Sequence, residues 1–185
     1  MVVKGRTKVP LAVTKERIGR KSELKLLGVT FNEDPCNWDT HFEQMLEKAS
    51  SRLYILRICK YYGYSLQELA ILFESLIVSL FKYAIEVWAC AYYNKYLFQI
   101  DRFCKRAVRY GYTNKVMHIT ELIRIRDRQF WEKLSIDKNH PLNDLLPPQR
   151  KRVLRKRGHN YILPSVKTER FKRCIINRCL FNFIT

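Results

Sequence analysis

Residues 37–91 read NWDTHFEQMLEKASSRLYILRICKYYGYSLQELAILFESLIVSLFKYAIEVWACA. Phe42, Met45, Leu46, Ala49, Leu53 and Leu56 recur at spacings of three and four, the period of a helix with one buried face. Asn37 reads as its N-cap and Gly63 as its stop, so the spacing predicts a helix from Trp38 to about Tyr62. Ser65 and Glu68 form an S-x-x-E capping box that opens a second long helix, Leu66 to about Ala91. Its apolar positions, among them Leu69, Phe73, Ile77, Phe81 and Trp88, make a face broad enough to need more than one neighbour. Trp38 and Trp88 sit in apolar patterns and read as core anchors.

Upstream, Leu24 to Phe31 (LKLLGVTF) is a short β-prone run. Gly28 in its middle reads as a bulge or a close backbone approach. Asn32-Glu33-Asp34-Pro35 closes the run as a turn. Downstream, Leu97, Ile100, Phe103, Cys104, Ala107 and Val108 give a third helix, ending near Tyr110 with Gly111 beyond it. A fourth is predicted from about Ile119 to Leu134, with Leu122, Ile125, Arg126, Gln129 and Phe130 on its period. Asn139-His140-Pro141 and Pro147-Pro148 then break any helix. Residues Thr168 to Phe183 mix bases with Phe, Ile and Leu and fit neither period cleanly.

The expected fold is mainly α: a small β unit, a three- to four-helix bundle, and a basic, partly irregular C-terminal arm. The expected segments are 1–36, 37–138 and 139–185. Short connections favour antiparallel neighbours.

The chain has 185 residues, 47% of them apolar and 13% aromatic, which excludes wholesale disorder. Its net charge is +18. Residues 1–93 carry 13 bases and 10 acids, whereas residues 94–185 carry 22 and 7. A polyanion is the natural partner, nucleic acid first and an anionic membrane surface second. Lys95, Arg102, Lys105, Arg106 and Arg109 lie on the third helix against Asp101 alone. Arg150, Lys151, Arg152, Arg155, Lys156 and Arg157 fall within one octapeptide and form the strongest local polyanion signal. The same residues also fit a nuclear-localisation patch.

No cofactor, metal site or catalytic group is expected. No Walker A loop, GxGxxG, GxSxG or HExxH occurs. The six cysteines form no CxxC pair, so zinc and a disulfide framework are disfavoured and an intracellular setting is expected. Met1 is followed by bases, not by the apolar run of a secretory signal. The apolar stretch from Leu69 to Tyr93 has no uncharged run longer than Ser75–Phe81, far short of the ~18 residues of a membrane span.

The order of short motifs resembles the C-terminal part of non-LTR retrotransposon reverse transcriptases. Lys25-Leu26-Leu27-Gly28-Val29-Thr30-Phe31 is similar to the KxLGV segment that follows the palm of those enzymes. The resemblance implies that this segment belongs to a primer-grip β-hairpin, with Leu27 and Gly28 at the grip. Trp38, His41, Lys48-Ala49, Arg52-Leu53, Leu56-Arg57 and Lys60 resemble the first thumb helix. Ser79 to Trp88, with Tyr83 and Trp88 matching, resembles the second. Leu97, Ile100, Arg106-Ala107 and Arg109 resemble the third. Pro164 and Thr168 to Arg178 resemble a segment near the end of such reading frames. The resemblance covers residues 18–185 and omits fingers, palm and the catalytic Asp-Asp box. It therefore implies a truncated or fragmentary polymerase that binds a template–primer duplex through its backbone, has no catalytic site of its own, and lacks its palm in cis.

The stretch Trp38–Tyr93 also resembles a short domain named after the N-terminal region of an AlkB-homologue alkylation-repair protein. Neither dioxygenase nor methyltransferase chemistry follows: no H-x-D pair and no Gly-rich nucleotide turn is present, and the single H-x-E triplet, His41-Phe42-Glu43, falls within the expected first helix. A non-catalytic relic and a module for anionic membrane surfaces are the alternative readings.

Overall fold

The computed structural model describes residues 21–34, 37–90, 94–137, 139–149 and 161–184. The chain is mainly α with one small antiparallel sheet, and it forms two compact units. The first comprises residues 1–84 and 105–116, the second 85–104 and 117–185.

In the first unit, β1 (Glu23–Leu26) pairs antiparallel with β2 (Val29–Asn32), Leu26 opposite Val29. The β-prone run is thus a hairpin. Gly28 is not a bulge within a strand but the second residue of a two-residue turn. The first long helix, α1, spans Asp39–Tyr61. Trp38 is its N-cap, and Asn37 instead accepts the Asp39 N–H through its side chain at 2.8 Å. Gly63, at φ 86°, stops it as expected. Its N–H bonds the Lys60 carbonyl and that of Tyr64 bonds the Cys59 carbonyl, the two bonds of a Schellman motif. Phe42, Met45, Ala49 and Leu56 are buried, with Trp38 beside them.

The second long helix is not continuous. The capping box forms as expected, Ser65 and Glu68 bonding reciprocally, and opens α2 (Leu66–Phe73). A π-helical turn follows over Glu74–Val78, then α3 (Ser79–Lys82). The turn has an identifiable cause. The Ser75 and Ser79 hydroxyls donate to the carbonyls of Leu72 and Ser75, and the Arg52 guanidinium donates to the Leu76 carbonyl at 2.5 Å. Helical backbone then ends at Tyr83, which is extended, and Ala84 has φ 48°.

In the second unit, α4 (Ile85–Trp88) and α6 (Ile119–Ile136) pack together, and Arg126 bridges to Glu86 at 2.8 Å. Trp88 is fully buried. The helix α5 (Asn94–Arg109) starts in this unit, and its last turn belongs to the first. Gly111, at φ 70°, closes it with a second Schellman pair, Gly111 to Val108 and Tyr112 to Ala107.

The face of α6 differs from the expected one: Ile125 and Gln129 are exposed, while Asp127 is only 1% exposed. The partner of Asp127 explains this. The C-terminal stretch forms α7 (Glu169–Arg173) and α8 (Ile175–Phe183), and Arg178 on α8 grips Asp127 with two bonds of 2.6 and 2.7 Å. Part of the basic arm is therefore packed helix.

Candidate nucleic-acid interface

The hairpin turn is set by backbone conformation. Leu27 and Gly28 both have positive φ, 48° and 84°, the combination of a type I′ turn. A Cβ on Gly28 would lie 3.5 Å from Tyr83 Cε1, an ordinary contact. Glycine is required here by φ and not by a close backbone approach. The Tyr83 hydroxyl donates to the Leu27 carbonyl, which ties the turn to the end of α3. The Leu27 side chain points away and is 82% exposed.

Beneath the turn lies a cavity of about 30 Å³, lined by Gly28, His41, Gln44, Met45, Lys48, Leu80 and Tyr83. That is room for about two waters. His41 is buried, and its Nδ1 accepts the Thr30 backbone N–H at 3.3 Å. The proton of the neutral ring therefore sits on Nε2, which meets no acceptor among the described residues. Burial pushes the His41 pKa down to about 4, with the Lys48 charge adding to the effect. His41 is thus a neutral donor at physiological pH. A larger groove of about 400 Å³ shares Gln44 and Lys48 and adds Glu23, Lys25, Thr30 and Glu47. Its two lysines face two glutamates, so charge does not dominate there.

Charge does dominate on α5. Lys95, Arg102, Lys105, Arg106 and Arg109 are all exposed. At 3.6 residues per turn they fall within an arc of about 100° along about 21 Å of helix. Tyr96, Ile100, Phe103, Cys104 and Ala107 are buried on the other side. The single acid of the helix is engaged elsewhere. Asp101 Oδ1 accepts the Ile119 N–H at 2.8 Å, at the first turn of α6, and Oδ2 lies 3.8 Å from His118 Nδ1. A carboxylate at a helix N-terminus satisfies a free N–H and complements the dipole. Asp101 is the only acid in the sequence of α5, and both its carboxylate oxygens are directed at the start of α6. Arg102 stacks over Phe98 at 5.6 Å.

The hairpin and the α5 arc are thus both formed. Arg150, Lys151, Arg152, Arg155, Lys156 and Arg157 lie outside the described residues. The roles of His41 beneath the turn and of Asp101 as a cap for α6 arise from pairings distant in sequence, which no local pattern announces. Cys104 and Cys179 are buried and their thiols are pushed up to about 12, mainly by burial, so they stay protonated and act as small apolar groups. Among the described residues no helix is long and apolar enough to cross a membrane. No protein-family model, no curated protein and no solved structure matches the chain.

Proposed function

We propose that the chain is a thumb-like region of the non-LTR reverse transcriptase class that binds nucleic acid through its phosphate backbone and has no catalytic centre of its own. The observation that carries the nucleic-acid reading is the α5 arc: five exposed bases on one face, with the only acid of the helix occupied at α6. Such a row meets successive phosphates without reading bases, so binding follows shape and charge rather than sequence. The order of thumb-like motifs supports the polymerase class, and the hairpin with its Leu27-Gly28 turn accords with a primer-grip element.

The test is a variant carrying Lys95→Ala, Arg102→Ala, Arg106→Ala and Arg109→Ala. These side chains are exposed, so the fold should survive. Affinity should fall alike for duplexes of unrelated sequence, and the slope of log K against log salt should become shallower by about 3–4. Unchanged affinity and slope would remove α5 from the interface.

A further inference from the structure

Helix α1 carries large rings on its outward side as well as its buried one. Tyr61 is 85% exposed and Tyr62 75%, with Tyr54 at 62% and Tyr64 at 48%. The Tyr61 and Tyr62 rings meet edge to face at 82°, centroids 5.5 Å apart, which leaves most of both faces open. Four exposed tyrosines within eleven residues exceed the single scattered apolar side chains of an ordinary surface. The end of the helix is fixed in place by the Schellman bonds at Gly63.

The charge around these rings identifies their partner. Residues 53–67 contain Arg57 and Lys60 and no Asp or Glu, while Arg52 is engaged with the Leu76 carbonyl. Arg57 is exposed. Lys60 is held by the Tyr110 carbonyl at 2.6 Å, so its positive charge stays beside the helix end. Flat π-faces next to positive charge complement a base carried on a phosphate chain, and the nearest following carboxylate, Glu68, is bonded into the Ser65 cap. We propose that the C-terminal end of α1 is a stacking platform for single-stranded nucleic acid. Unpaired bases lie on Tyr61 and Tyr62, and Arg57 meets the phosphates. This site does not depend on α5 and differs from it in kind, since it holds bases while α5 holds backbone.

The full chain is titrated against three fluorescein-labelled probes: a poly-thymidine strand of about 15 nucleotides, an abasic strand with the same phosphates, and a duplex. The wild type should bind the base-bearing strand about 10-fold or more tighter than the abasic one. Tyr61→Ala with Tyr62→Ala should remove that preference and leave abasic and duplex binding unchanged. Tyr61→Phe with Tyr62→Phe should keep it, because the ring and not the hydroxyl stacks. Equal wild-type affinity for base-bearing and abasic strands overturns the proposal, even should the alanine variant not fold. So does an alanine effect equal on all three probes. A dimer dispersed by the alanine pair, with no base preference, would assign the face to a second copy instead. The α5 variant separates the two sites: loss of duplex binding with the base preference intact leaves the platform standing.

Discussion

At the scale of single residues, His41 and the hairpin turn are the sharpest points. His41 binds protons more weakly folded than unfolded, its pKa falling from 6.5 to about 4. The unfolded chain therefore takes up the proton first. The contribution of neutral His41 is complete above pH 6.5 and is lost as pH falls toward 4, at most by about 3 kcal/mol. His41→Asn keeps an acceptor for the Thr30 N–H but does not titrate. Denaturation midpoints of this variant should fall less steeply between pH 6.5 and 4 than those of the wild type, and identical pH profiles would refute the assignment. Leu27 offers a second test. An exposed leucine at φ 48° is strained, and Asn-Gly is the preferred type I′ pair. Leu27→Asn should stabilise the chain by about 0.5–1 kcal/mol, read as a higher melting temperature. This strain is also why the residues alone did not reveal a hairpin: Leu-Gly lacks the usual turn signature, and only the family resemblance pointed to one.

At the scale of elements, local signals were legible and distant ones were not. The Ser65–Glu68 box and the stops at Gly63 and Gly111 need only neighbouring residues, and each forms as read. The interruption of the second helix has no such mark, since no proline or glycine lies between Leu66 and Ala91. Its π-helical turn carries a bond from Arg52, 24 positions from the carbonyl that it meets. The rotated face of α6 has the same origin. An aspartate reads as solvent-facing until its arginine, 51 positions away, is known. Arg178 is 11% exposed and Asp127 2% in this bridge, so breaking it strands a charge. Asp127→Ala should cost about 3–5 kcal/mol in chemical denaturation. Asp127→Leu with Arg178→Met should recover most of that loss, and failure to do so would mean the pair is needed for more than charge balance.

At the scale of the whole molecule, the excess of bases is the dominant property, and most of it lies after residue 93. The α5 arc was legible because helical period alone fixes which residues share a face. The tyrosine platform was not, because period cannot say which of two apolar faces is left open. Arg178 shows that sequence charge overstates what is available to a partner, since it is spent on Asp127. Backbone binding makes one demand that neither a relic nor a sequence reader satisfies. Neutralising about five or six phosphates should make log K fall with log salt at a slope of about −4.5 to −5.5, alike for duplexes of unrelated sequence. That titration on the full chain is the most direct measurement. A slope in this range on every duplex supports the account, and a flat dependence, or binding confined to one sequence, would contradict it.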